Sequence, residues 1–157
     1  MFGFKKKGGV LGAAASAAFK EMNANQQENL DFLEAAAAAI AIIATIDGNA
    51  DSAERNKAIS VIVKNKLLGS IFSQQQVESI VSASIDKASD GAGKQELVDE
   101  LKDLKNHEKG SAYAKGCYLM AKDVANADGT IGEREGKALT VLASILGVNE
   151  SDFAFDF

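Results

Sequence analysis

Two short acidic stretches hold the side chains with the clearest chemical potential. The first reads Asp47-Gly48-Asn49-Ala50-Asp51-Ser52-Ala53-Glu54, and the second Asp128-Gly129-Thr130-Ile131-Gly132-Glu133-Arg134-Glu135. Their donors are carboxylate, amide and hydroxyl oxygens, hard ligands that suit Ca2+ or Mg2+ and suit zinc or copper poorly. A cation facing Asp47, Asn49, Asp51 and Glu54 in one stretch, and Asp128, Thr130, Glu133 and Glu135 in the other, is one use for them. The EF-hand pattern is not met. Counted from each leading Asp, its Gly and Glu positions hold Ser52 and Ala58 in the first stretch, then Glu133 and Leu139 in the second. Any site is therefore shorter than that loop, or shared between the two stretches.

Helix capping offers a second account of most of these acids. Gly48 and Gly129 suit the left-handed position that ends an incoming helix. Asp51 is a natural N-cap, and Glu54, three residues on, completes a capping-box pattern. In the second stretch Gly132 stands in the cap position and Glu135 in the Glu position, with Ala50 and Ile131 placed as hydrophobic staples. Acids in a first helical turn also complement the positive end of the helix dipole. Capping thus covers Asp51, Glu54, Glu133 and Glu135. It leaves Asp47 and Asp128, each at the negative C-terminal end of a helix, where a carboxylate is unfavourable. A bound cation is one remedy; an Asx-turn onto backbone N–H groups is another.

The elements that must position these residues are helices. The 157-residue chain contains no Pro and no Trp, is 46 % hydrophobic and 25 % charged, and is rich in alanine, the strongest helix former. Apolar residues recur at helical spacing: Leu30, Leu33, Ala37, Ile40 and Ala44; Ala58, Ile59, Ile62, Val63 and Leu67; Val77, Ile80 and Val81; Leu97, Leu101 and Leu104. Tyr113, Cys117, Met120, Ala121 and Val124 form a further stripe, as do Ala138, Val141, Leu142, Ile145 and Leu146. No segment alternates in the manner of a strand. Glycines at 48, 69, 91, 93, 110, 129 and 147 punctuate the pattern as helix ends or turns. Asp47 and Asp128 lie as far apart in the chain as Glu54 and Glu135, so each acidic stretch opens the second arm of a helical hairpin that is used twice. The expectation is an all-α fold, a single compact domain of about six or seven helices over residues 13–157. Residues 1–12 read as a mobile basic and aromatic tail, and Ser151 to Phe157 are expected to fold back onto the bundle.

The second stretch and its surroundings carry a resemblance. Ala-Asn-Ala-Asp128-Gly-Thr-Ile-Gly-Glu-Arg-Glu135, an apolar helix, Leu-Gly-Val and then Asn149-Glu-Ser-Asp-Phe153, together with an Asp-Gly turn and acidic helix start in each half, resemble the tellurite-resistance TerB family. The likeness runs from about Asn25 to Phe153. It implies a cytoplasmic helical domain, a metal-binding acidic patch and association with membrane-bound or stress-response complexes. Carried over position by position, the metal residues would be Asp47, Asp51, Glu54, Asp128, Glu133 and Glu135, with calcium ahead of magnesium. The second stretch departs from the first by carrying Gly132 in place of Asp51.

Other chemistries fare worse. One cysteine excludes an internal disulfide and a Cys-based zinc site, and points to a reducing compartment. Cys117 shares a stripe with Tyr113 and Met120 and reads as a small buried hydrophobe. His107, the single histidine, has no identifiable nucleophile or orienting partner. No phosphate loop or dinucleotide fingerprint is present. A formal charge of -5 argues against nucleic acid as the main partner. The longest apolar run, Ala35 to Ala44, is too short to span a bilayer. The N-terminal Phe2, Phe4, Lys5, Lys6 and Lys7 have the character of a peripheral contact with anionic lipid at the inner face of a membrane. Two non-enzymatic readings follow. One is a cation-binding scaffold or sensor in a tellurite or stress-response complex, working with protein partners. The alternative is a metal-independent helical interaction module held near a membrane by its tail.

Overall fold

Polar side chains mark most of the helix starts. Asn23, Asp51, Asn65, Ser73 and Asp90 each accept a backbone N–H from the first turn of the helix they precede, satisfying donors that have no intrahelical partner. The computed structural model describes residues 17–48, 50–126 and 129–153. Among them are seven α-helices: α1 (Ala24–Ala44), α2 (Ser52–Lys64), α3 (Lys66–Ile71), α4 (Gln74–Lys87), α5 (Gly91–Lys102), α6 (Gly110–Ala125) and α7 (Glu133–Leu146). Short 3-10 turns stand at Ala17–Phe19, Asp103–Asn106 and Glu150–Phe153. No strand occurs among the described residues. The all-α single domain expected from the helical periodicity is the one observed. The basic and aromatic tail, including Phe2, Phe4, Lys5, Lys6 and Lys7, lies outside the described residues.

The alanine run explains the architecture. All six other helices pack on α1, and Ala36, Ala38, Ala39, Ile40 and Ala41 have no exposed surface at all. A helix sheathed on every side has no polar face to keep, and alanine lets its neighbours approach closely at little entropic cost. The sequence stripe through Leu33, Ala37 and Ile40 was thus only part of a helical segment, residues 32–41, that is buried all round. Larger side chains from the surrounding helices complete the core: Ile62, Leu68, Val77, Ile80, Leu97, Leu101, Tyr118 and Leu142.

Three of the glycines read as helix ends or turns lie inside helices, near their starts. Gly69, Gly93 and Gly110 sit in the opening turns of α3, α5 and α6. At each, an added Cβ would collide with a backbone carbonyl of the preceding element, from Val63, Lys87 and Leu104 respectively. They serve close approach at tight corners, whereas Gly48 and Gly129 take the positive φ of a helix-terminating turn. The break between α2 and α3 is at Asn65, whose Oδ1 accepts from the N–H groups of Leu67 and Leu68 at 3.1 and 2.9 Å.

Of the segment Ser151 to Phe157 expected to fold back, the described residues 151–153 pack onto the bundle. Phe153 is buried against Tyr118 with ring centroids 5.1 Å apart, and Lys122 Nζ donates to the Phe153 carbonyl at 3.1 Å. Phe155 and Phe157 lie outside the described residues. Among the described residues, no helix is long and apolar enough to cross a membrane.

Candidate metal centre

The two hairpins repeat at the level of individual hydrogen bonds. α1 leads through an Asp-Gly turn into α2, and α6 leads through another into α7. Gly48 N–H donates to the Thr45 carbonyl at 3.0 Å, and Gly129 N–H donates to the Asn126 carbonyl at 3.0 Å. Their φ values are 128° and 87°, in the region that a side chain disfavours. Asp51 N–H donates to Glu54 Oε1 at 2.9 Å, and Gly132 N–H donates to Glu135 Oε1 at 3.0 Å. Each hairpin therefore ends one helix and begins the next in the same way.

The copies differ at the cap residue. Asp51 Oδ1 accepts from Glu54 N–H at 2.8 Å, completing a reciprocal capping box. Gly132 has no side chain to return that bond, so α7 keeps only the Glu135 half. The carboxylates of Asp51, Glu54 and Glu135 are thereby engaged with backbone donors. Glu133, almost fully exposed, has Lys137 one turn ahead at 3.7 Å.

Asp47 has a partner that spacing did not reveal. Arg134 Nη1, from the first turn of α7, lies 3.6 Å from Asp47 Oδ1, with both side chains well exposed to solvent. One contact settles a question of topology: the first Asp-Gly turn and the start of α7 occupy the same end of the bundle. The cation facing Asp47 here is a guanidinium. Asn49 and Asp128 lie outside the described residues. Among the described residues, no three His, Cys, Asp or Glu side chains gather into a group able to hold a metal ion. The donor chemistry of the acids thus fits a hard cation, while Asp47, Asp51 and Glu54 by themselves do not converge.

Comparison with known proteins bears on what these hairpins are. A family model described as tellurite resistance protein TerB matches residues 33–155, which takes in both hairpins and the C-terminal 3-10 turn. The chain belongs to the TerB family. No curated protein and no solved structure matches it.

Elsewhere in this TerB domain, the reactive side chains are engaged in structure. Cys117 is fully buried, and burial pushes its thiol pKa far up, so it stays protonated. His107 is half-buried. Its ring lies 4.9 Å from that of Tyr113, and its Nδ1 accepts from Lys109 N–H at 3.0 Å. Tyr113 stacks on Phe32 at 4.4 Å and donates to Asn29 Oδ1 at 3.3 Å. Its phenol pKa is raised by burial first and then by the neighbouring charges of Glu28, Asp31 and Glu108.

One polar cluster escaped the sequence reading. Glu150 accepts from Tyr118 O–H at 2.7 Å and from Thr140 O–H at 2.9 Å, joining the last 3-10 turn to α6 and α7. Burial, then the Glu150 hydrogen bond and charge, raise the Tyr118 pKa strongly. The residues are spread over three elements with no shared spacing, so no local signal announces them.

Proposed function

We propose that this TerB domain is a non-enzymatic divalent-cation-binding module, acting as a scaffold or sensor in a cytoplasmic tellurite or stress-response complex. The observation that carries the reading is the Asp47–Arg134 contact, which brings the two acidic hairpins to one end of the molecule. Asp47, Asp51, Glu54, Asp128, Glu133 and Glu135 would hold the ion, calcium ahead of magnesium, through hard oxygen donors. A bound ion supplies positive charge between loops that both present carboxylates, and so ties their relative position to its concentration. Against catalysis stand a buried, protonated Cys117 and a His107 whose Nδ1 is occupied by a backbone donor. Protein partners fit this role, and contact of Phe2, Phe4 and Lys5 to Lys7 with anionic lipid would place the module beside a membrane.

The metal-independent interaction module is favoured by a different observation. Asp47, Asp51, Glu54 and Glu135 already have partners within the chain. Calcium titration of the metal-stripped full chain, followed by amide NMR, separates the two readings. Saturable binding, with shifts centred on Gly48 and Gly129 and lost in Asp47→Ala plus Asp128→Ala, is the expected result. No binding at millimolar calcium or magnesium leaves the acids as caps and refutes the cation reading.

A further inference from the structure

Charge is divided unevenly along the chain. Residues 1–20 hold Lys5, Lys6, Lys7 and Lys20 and no carboxylate side chain, and residues 55–77 hold Arg55, Lys57, Lys64 and Lys66 and none. The formal charge of the whole chain is nevertheless -5, and all 22 of its Asp and Glu residues lie elsewhere. Folding brings the two basic stretches together. The ring of Phe19 lies 6.3 Å from that of Phe72, the residue that ends α3. Gln76 Nε2 donates to the Ala18 carbonyl at 3.1 Å, and Gln26 Nε2 donates to the Ile71 carbonyl at 3.0 Å. Residues 1–16 therefore join the bundle beside α3. Lys7 is ten residues from Ala17, so the covalent chain keeps it within about 35 Å of that point.

The corner between α2 and α3 is also where a large apolar side chain stands in solvent. Leu67 is 45 % exposed, and Lys64 and Lys66 are exposed on either side of Asn65. Of the six residues of α3, only Leu68 is buried. Arg55 is paired with Asp86 at 3.4 Å, and the flanking carboxylates of Glu54 and Glu78 accept from Asp51 N–H and Gln74 Nε2. Among the described residues, Lys64 and Lys66 have no ion pair. Lysines without a carboxylate, set around an exposed leucine, match the boundary between headgroups and acyl chains of an anionic bilayer. Nucleic acid offers the phosphates and no apolar layer to receive Leu67.

We propose that the α2–α3 corner, through Lys64, Lys66 and Leu67, is a docking surface for an anionic lipid bilayer and acts together with the N-terminal tail. The inference rests on the lipid contact of the tail given above and extends it to the folded domain. Gln26, which bonds to the end of α3, is in the first turn of α1, and Asp47 follows the other end of that 21-residue helix. The acidic Asp-Gly end thus stands about 30 Å from the docked corner, removed from the negative lipid. Each lysine at an anionic surface contributes about fivefold to affinity.

The test uses the full chain with a polarity-sensitive fluorophore on Leu67→Cys. Cys117 is fully buried and stays unlabelled. A second variant, Val141→Cys, carries the fluorophore on α7, which packs on α1, α5 and α6. Both positions are exposed, and circular dichroism verifies the fold. Vesicles of phosphatidylcholine and phosphatidylglycerol in equal parts are compared with phosphatidylcholine alone, by cosedimentation and by fluorescence. The expected result is cosedimentation with the anionic vesicles only, with a blue shift at Leu67→Cys and none at Val141→Cys. Lys64→Gln plus Lys66→Gln is expected to lower the affinity about 10- to 30-fold. Cosedimentation without a shift at Leu67→Cys leaves the tail as the contact and overturns the docking surface, as does unchanged affinity in the double lysine variant. Absence of cosedimentation overturns the surface and the tail contact together. Binding to duplex DNA as tight as to the anionic vesicles overturns lipid as the partner.

Discussion

The corner between α4 and α5 offers a controlled perturbation, because two glycines of one helical turn face opposite surroundings. Asp90 caps α5, with its Oδ1 accepting from Gly93 N–H at 2.7 Å. Gly91, the first residue of the helix, is exposed, and an added Cβ there meets nothing within 4 Å. Gly93 is buried. A Cβ there would overlap the carbonyl oxygen of Lys87, the last residue of α4, and lie 2.7 Å from the carbonyl carbon. An ordinary carbon contact is about 3.5 Å or more, so two backbone segments must part by roughly 1 Å. Neither is a flexible side-chain tip that yields cheaply. Alanine at either position reduces unfolded-state entropy, a gain of about 0.5–1 kcal/mol. At Gly91 that gain stands alone. At Gly93 it is outweighed by overpacking of about 1–3 kcal/mol or more and by strain on a cap bond of about 1 kcal/mol. Gly93→Ala is therefore expected to lose about 2–3 kcal/mol net, lowering Tm by about 5–10 °C for a domain of this size. Gly91→Ala is expected to gain about 0.5 kcal/mol. Urea unfolding followed by far-UV circular dichroism measures both. If Gly93→Ala matches wild type to within about 0.5 kcal/mol, or the two variants shift together, the account of this corner is wrong.

Three further predictions concern the aromatic core and the C-terminal turn. Tyr118→Phe removes a donor from the Glu150 carboxylate and is expected to cost about 1–2 kcal/mol at neutral pH by urea unfolding. The same residue fixes a pH dependence. The folded phenol titrates above its unfolded value of about 10, so its stabilisation is complete below that pH and is lost as pH rises through the folded value. Wild-type stability should fall above about pH 10, and Tyr118→Phe should remove up to about 1.4 kcal/mol per pH unit from that slope; identical alkaline slopes would refute the assignment. At Gly116, an added Cβ would stand 2.9 Å from Phe32 Cζ and push the ring off Tyr113. Gly116→Ala is expected to cost about 1–2 kcal/mol. Combining it with Phe32→Leu should bring the added cost of the alanine near zero, checked by a double-mutant cycle in thermal unfolding.

Helices, their approximate limits and their hairpin repeat were legible in the sequence because each depends on residues close together in the chain. Asp51 and Glu54 read as a capping box because the two halves of that motif are three residues apart, and both bonds are made. The Asp-Gly turns read correctly for the same reason: a positive φ is a property of one residue and its neighbours. Candidate ligands were legible as residue types, and their convergence was not. Whether Asp47 meets an ion, a backbone N–H or another side chain depends on what the rest of the chain brings to it. Sequence spacing carries no such information for Arg134, which comes from the other hairpin.

The sequence by itself determined an all-α domain with two acidic hairpins, through alanine content, helical periodicity and capping chemistry, all of which are local. Only the tertiary structure decided three things. It made α1 a central helix, because burial on every side depends on the six helices packed around it. It turned Gly69, Gly93 and Gly110 from apparent helix ends or turns into points of close backbone approach, because only packing decides whether the missing Cβ serves conformation or space. It set Arg134 on Asp47 and tied Glu150 to Tyr118 and Thr140, because charges and hydroxyls on different helices find each other only after the hydrophobic core has fixed where those helices lie.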